Sequence, residues 1–397
     1  MKSSKPNIAI ITTVSFSIQA FYKGQIEALR KAGIKTSVIC ADDSGIRDFL
    51  PSETDFFQVD FTREHNPWKD IRTLWQLLMI FRQEQFDIVQ YSTPKAALFG
   101  SIASFLTRVP LRLYLLWGLY YEGQKGITRV ILRFFEKLIC LLSTHVLPDS
   151  REMVDFIVQQ RLTKRSKCDV ILNGSACGVD LEQFNPEKWK QDGERIRSEL
   201  GIPKAAVVIG VFGRLTGDKG VNEIVSAFKQ IIQEHDNTFL LVVGRQEQRD
   251  KLLPDTENTL NNHSKVVHLA CWLKNLIPYY AAIDIFCLPS YREGFPQSPL
   301  EAQAMGKPVI TTDILGARES IVDNQTGFLI EPKNSKALAE ALKKLLLDPT
   351  LRIRMGAKGR ERVKQMFDSR VFMQAMVHHR LKLLSRIKPK AKVGCRK

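Results

Sequence analysis

The sequence predicts an α/β protein made of two doubly wound parallel-sheet domains in series, facing a cleft. Three observations carry this. Short continuous runs of Val, Ile and Leu alternate with amphipathic helical segments, the pattern of a parallel sheet covered on both faces. The alternation is interrupted by a polar stretch at 185–205 and then begins again. At 397 residues the chain is long enough for two full cores.

In the first half, strands are expected at 8–14, 36–40, 56–61, 87–91, 111–116, 145–148 and 170–172. Helices are expected between them at about 18–32, 68–85, 95–107, 126–142 and 150–160. Lys2 and Lys5 before an apolar run imitate a signal peptide, but the run is short and no small-residue cleavage site follows, so it reads as a first buried strand. Ligands of such sheets bind at the carboxyl ends of the strands, where strand order switches. That rule points to the loops at 13–17, 92–95 and 117–121. The stretch 185–205 reads as a linker with a short helix.

The second half predicts strands at 207–212, 239–243, 266–269, 283–288, 309–311 and 328–330. Helices are expected near 221–234, 247–261, 274–281, 298–305, 316–322, 335–347 and 351–366. One more helical pattern, 368–387, follows the complete second domain. The predicted division is therefore 1–190, 191–367 and a final helix with a basic tail, 368–397.

Composition narrows the function classes. Charged residues at 25% and hydrophobic residues at 44% fit a soluble globular chain, and no apolar run is long enough to span a bilayer. Seven scattered cysteines form no C-x-x-C pair, which predicts a reducing, cytoplasmic setting without a disulfide framework. The net charge of +16 is concentrated at the end: residues 343–397 hold 17 Lys and Arg against 3 Asp and Glu, leaving 41 against 39 before them. Such a basic end, together with the cations around the half-apolar segment 126–142, is suited to an anionic membrane surface or to a solvated face. No stacking aromatics or nucleic-acid module accompany it, so no nucleic acid is expected. D-x-D, H-E-x-x-H and G-x-S-x-G are absent, which argues against a metal-bridged diphosphate or a hydrolase triad. Of the seven histidines, His65, His145, His235, His263 and His268 stand singly, and His378 and His379 are adjacent in poor ligand geometry.

Two stretches carry the chemistry. The first, after the strand at 207–212, is Gly213-Arg214-Leu215-Thr216-Gly217-Asp218-Lys219-Gly220. Its glycines permit close approach of a ligand, and Arg214 and Lys219 supply a planar fork and a point charge for a diphosphate. Asp218 stands where a P-loop needs glycine, and no G-x-G-x-x-G follows a strand here. The second stretch is 286–319. It contains Glu293, Gly294 and Phe295 in a loop, then a marked helix start with Ser298 as N-cap, Pro299 at the first helical position and Glu301 completing a capping box. The free amides of that helix offer a phosphate site. Glu293 has no capping role and is free to accept bonds from sugar hydroxyls or to form a surface ion pair with Arg292 or a neighbour. Tyr279 and Tyr280 read as packing residues.

GRLTGDKG, LPSYREGFPQSPLEAQAMGKPVITTD and GARESIVDNQTGFLIEP together resemble the family-four retaining glycosyltransferases, which have the GT-B fold of two Rossmann-like domains. The resemblance is strong over about 205–335 and looser before it. STPKAALFG, the 124–142 segment and NGSACGVDLEQF look most like capsule and surface-polysaccharide transferases. The resemblance implies roles residue by residue. Arg214 and Lys219 neutralise the donor diphosphate, Glu293 holds donor-sugar hydroxyls, Glu301 binds the ribose, and the amides of Gln297 and Ser298 cradle the phosphates. Gly213, Gly294, Phe295 and Thr13 complete the expected donor set, and Ser15, Trp117 and Gly118 the acceptor side of the cleft. The final helix is expected to return to the first domain.

The implied activity is transfer of a hexose or N-acetylhexosamine from a nucleotide-diphospho sugar, of UDP type, to a glycan or lipid-linked glycan acceptor. No cofactor and no metal are implied. Three departures from the family pattern stand out: Trp117 where many members carry histidine, Pro296 without an amide beside the sugar site, and no second glycine after Gly244. A different enzyme on the same architecture, such as a sugar-nucleotide epimerase or phosphorylase, and a non-catalytic basic binding protein remain the alternatives.

Overall fold

The computed structural model of the chain describes residues 5–42, 45–62, 66–247 and 250–387. Lys2, His65, Cys395 and the tail from 388 lie outside the described residues. The chain divides into two compact units: residues up to Cys177 together with those from Val371 onward, and Gly178–Arg370.

The first unit holds strands β1 (Asn7–Ile11), β2 (Lys35–Cys40), β3 (Asp55–Gln58), β4 (Ile88–Tyr91), β5 (Leu111–Leu116) and β6 (His145–Pro148). They form one parallel sheet in the order β3-β2-β1-β4-β5-β6. Its helices are α1 (Ser15–Phe21), α2 (Lys23–Lys31), α3 (Ile46–Phe49), α4 (Pro67–Glu84), α5 (Pro94–Leu106), α6 (Gly126–Leu142) and α7 (Arg151–Gln159). Crossovers between parallel strands are right-handed. The connections β3→β4→β5→β6 therefore place α4, α5 and α6 side by side on one face, and β1→β2→β3 places α1, α2 and α3 on the other. Ile8, Ile10 and Ile11 of β1 are fully buried, as a strand covered on both faces requires.

The second unit holds helix α8 (Pro186–Glu199), then β7 (Val207–Phe212), α9 (Val221–Ile231), β8 (Thr238–Val243), α10 (Pro254–Asn262), β9 (Val266–Leu269) and α11 (Ile277–Ala282). β10 (Ile285–Leu288), α12 (Gln297–Ala304), β11 (Val309–Thr312), β12 (Gly327–Ile330), α13 (Ser335–Leu347) and α14 (Pro349–Met366) complete it. Its sheet, β12-β11-β10-β7-β8-β9, is also parallel and repeats the strand order of the first. The last helix, α15 (Ser369–Ser385), sends Phe372, Met376 and Leu383 into the core that contains Ile18 of α1 and Ile26 of α2.

The two doubly wound sheets are as the sequence predicts. Four local expectations are corrected. Residues 170–172 form a turn, not a strand: Leu172 and Gly174 both have positive φ, 52° and 96°. The helix expected over 18–32 is two helices meeting at Tyr22, whose buried ring turns its hydroxyl to Ser92 Oγ at 2.9 Å. The helix expected at 316–322 is a single 3₁₀ turn, Arg318–Ser320. The polar linker is mostly α8, packed on α11 so closely that a Cβ on Gly193 would lie 2.8 Å from the carbonyl carbon of Ala281.

Candidate active site

In the second sheet the switch in strand order falls between β7 and β10, paired through Ile209 with Ile285 and Gly210 with Phe286. The loops leaving their carboxyl ends are the two stretches singled out in the sequence. Several backbone contacts fix one loop to the other. Tyr291 N–H donates to Asp218 O at 2.8 Å, and Ser290 Oγ donates to the same carbonyl at 3.1 Å. Gly220, at φ 72°, lies so close to the second loop that a Cβ there would stand 2.0 Å from Pro289 O. Gly316, at φ 83°, has the same relation to Gly294 O at 1.6 Å. Only glycine fits either position.

This scaffold brings Lys219 and Glu293 together. Lys219 Nζ donates to Glu293 Oε1 at 2.6 Å, with the side chains 18% and 11% exposed. An ion pair with a neighbour is one of the two readings the sequence offers for Glu293. Arg292 meets Asp218 at 3.2 Å. Burial pushes the Asp218 carboxyl up, but the Thr216 hydroxyl, Lys219 and Arg292 outweigh it and hold it below the usual range. Its backbone amide donates to Asp250 Oδ2 at 2.7 Å. Arg214 lies at the edge of the site, about half exposed, with Glu247 at 3.3 Å. Gly213 closes β7 with φ 140°.

The start of α12 departs from expectation. The helix begins at Gln297 with Pro296 as its N-cap, and no side chain caps it. Pro296 is already held at φ −69° and ψ 132°, which serves as a non-helical entry, so Ser298 falls inside the first turn. There is no capping box. Glu301 instead accepts a hydrogen bond from Tyr280 Oη at 2.8 Å, reaching across from α11. Burial raises the Glu301 carboxyl, opposed by that bond, and burial also holds the Tyr280 phenol well above its usual range. Gln297 Nε2 donates to Gly178 O. Phe295 packs its ring on Phe367, with centroids 5.5 Å apart, inside a core with Leu300 and Val363, so any contact it makes with a ligand falls to its backbone.

The remaining expected residues belong to the first unit. Its own switch lies between β1 and β4. There the Thr13 amide donates to Thr93 Oγ1 at 3.0 Å and the two hydroxyls are 2.8 Å apart. Ser15 is buried at the start of α1, and Gly118 turns the chain after β5 with φ 102°. Trp117 packs against Phe21 and Tyr22, with centroids at 5.0 and 5.2 Å. With Gln25, Asp149 and Arg380 it lines a cavity of about 30 Å³.

Sequence reasoning missed two functional neighbours. Asp218 was read only as a break in a motif, and Tyr280 only as packing. No local signal links Tyr280 to Glu301, because the bond joins different helices.

Two family models match the chain. A model described as glycosyl transferases group 1 matches residues 192–362, and a glycosyl transferase 4-like domain matches 18–174. Over 376 residues the chain is 32% identical to the capsular polysaccharide biosynthesis glycosyltransferase CapM of Staphylococcus aureus, covering 95% of this chain and 96% of that relative. The chain belongs to the family-four glycosyltransferases. The transferase is also 28% identical to an Escherichia coli protein named UDP-Gal:alpha-D-GlcNAc-diphosphoundecaprenol alpha-1,3-galactosyltransferase, over 89% of this chain and 92% of the other. In structure it resembles Anabaena HepE in complex with UDP and glucose, with a TM-score of 0.77 at 19% identity over 95% of this chain and all of that one. This likeness shows the GT-B fold. Family membership makes the chain a glycosyltransferase, which agrees with the main reading and not with the epimerase or binding-protein alternatives.

Proposed function

We propose that the transferase moves a hexose or N-acetylhexosamine from a UDP-sugar to a lipid-linked glycan at the inner face of the cell membrane, with retention at the anomeric carbon. The observation that carries this is the Lys219–Glu293 pair at the switch point, with Glu293 in the loop that leads into α12. Transfer places positive charge on the anomeric carbon and negative charge on the departing phosphate. Lys219, Arg214 and the amides of Gln297 and Ser298 are cationic or donor groups suited to the second. Glu293 is an acceptor suited to sugar hydroxyls near the first, and Glu301 to the ribose.

The bond from C1 to the phosphate oxygen breaks as the acceptor oxygen bonds C1 from the same face. The acceptor's proton passes to the departing phosphate, so no separate general base is needed. Preorganised donors of this kind contribute about 3–4 kcal/mol each. They also support a reaction that needs no divalent cation. The activity named for the Escherichia coli relative, from UDP-Gal to a diphosphoundecaprenol-linked sugar, supports a UDP-linked donor and a diphospho-lipid acceptor.

A panel of UDP-, GDP- and dTDP-sugars with detergent-dispersed membrane extract tests the reading. UDP is the nucleotide expected to be released, at the same rate with EDTA present. Release only from a GDP- or dTDP-sugar overturns the donor class.

A further inference from the structure

The outer surface of the α4–α5–α6 layer is apolar where a soluble face is usually polar. On α4, Trp68 is 82% and Trp75 61% exposed, and Ile71 and Met79 continue the same stripe at helical spacing. On α6, Ile127 is 71% and Phe134 62% exposed, with Val130 and Ile131 beside them. The first half of α6 is therefore not packed into the core. Of α6 only Glu136, Ile139 and Cys140 are buried. Phe105 and Leu106, at the end of the intervening α5, are exposed as well. Two tryptophans and a phenylalanine of this size offer several hundred Å² of apolar area, more than a soluble protein ordinarily leaves bare.

The exposed charges on α4 and α6 have one sign, and the acid just before α6, Glu122, meets Arg129 at 3.0 Å. Among the described residues of α4 and α6, every exposed charged group is a cation: Lys69, Arg72 and Arg82 on the first, Arg129, Arg133 and Lys137 on the second. The acids of the two helices are turned in. Asp70 meets Lys95 at 2.8 Å, and Glu136 is buried with the Tyr114 hydroxyl at 2.6 Å. Tryptophan with flanking Lys and Arg is the composition of a side chain layer that sits at a bilayer interface. A second copy of the same face would set cation against cation.

We infer that the outer face of α4, α5 and α6 docks on an anionic lipid bilayer, with Trp68, Trp75, Ile127 and Phe134 entering the interface and the six cations meeting lipid phosphates. All three helices start at the carboxyl edge of the sheet, the edge where doubly wound sheets bind their ligands. A bilayer against this face brings the headgroup level beside that edge, where an acceptor sugar held by a lipid would present itself. The inference deepens the proposed activity and rests on it only for the nature of the acceptor.

Flotation of the full chain with phosphatidylglycerol-containing and pure phosphatidylcholine vesicles tests it, together with quenching of tryptophan fluorescence by bromolipids. Binding is expected on the anionic vesicles, weakening with salt, and with fluorescence quenched. Trp68→Ser/Trp75→Ser and Ile127→Ser/Phe134→Ser should each lower the partition coefficient about tenfold, and the first should remove the quenching. Equal binding to both vesicle types, or wild-type binding by both double variants, overturns the inference. So does a dimer that these substitutions dissociate while no vesicle binds. UDP release in detergent separates the two readings: both double variants should retain it, and its absence in the unsubstituted chain with flotation intact would count against the transferase reading alone.

Discussion

Glu293 and Glu301 are eight positions apart in one stretch but have different neighbours, and the neighbours decide what each can do. Glu293 is held by a cation that a diphosphate would also attract, so in the proposed reaction donor binding would draw Lys219 toward the phosphates and leave Glu293 for the sugar. Glu301 is fixed by a phenol. Tyr280→Phe keeps the ring against Phe212 and Phe286, at 4.9 and 5.7 Å, and removes the bond to Glu301. Losing a bond to a charged group costs about 1.5–3 kcal/mol. The expected outcome is a donor KM raised about tenfold with kcat nearly unchanged, read by nucleotide-release kinetics. An unchanged KM would separate Glu301 from the ribose.

This is also where the sequence was least legible. The identity of both acids could be read locally, but their partners could not. Lys219 and Glu293 are 74 residues apart, and an apparent capping box concealed the Tyr280 bond.

Elements were legible where burial is uniform and misread where a polar surface hides a packed face. The Val/Ile strands β1 and β7 were plain in the sequence. The helix of the 185–205 stretch was legible but its packing was not, because eight of the fourteen residues of α8 are charged and its contact with α11 is made by a glycine. Gly193→Ala decides whether that contact is structural. On a free helix alanine would stabilise by about 1 kcal/mol. Against Ala281 the added methyl has no room, and overpacking costs about 1–3 kcal/mol, so thermal melting should show a net loss.

In α6, burial lifts the Glu136 carboxyl to about 7 from 4.5, opposed by the Tyr114 hydrogen bond. A group with a raised folded-state value favours folding fully only below the unfolded value. That contribution is lost as pH rises through about 7. Glu136→Gln should flatten this part of the stability profile, with the variant more stable above pH 7 by up to about 3 kcal/mol in denaturant titrations. A profile identical to that of the unsubstituted chain would mean Glu136 is not buried as described.

At the scale of the molecule, two sheets with the same strand order bring the loops singled out in the sequence to their switch points, as alternation along the sequence already implied. What alternation could not give is the side of each helix left without cover. The hydrophobic period of α4 is the same whether its tryptophans pack or protrude. The charge balance left an anionic surface and a solvated face both open. It drew attention to the basic end of the chain and to the cations around 126–142, but not to Lys69, Arg72 and Arg82 of α4.

The central claim is that the loops after β7 and β10 form the donor site, with Lys219 and Glu293 as its reacting pair. The most direct measurement is UDP release from the UDP-sugar by the full chain, Lys219→Ala and Glu293→Ala, with thermal melting to confirm folding. Each substitution should lower kcat by about 10²–10³ in a chain that still melts cooperatively. Turnover at the unsubstituted rate in both variants would contradict the assignment.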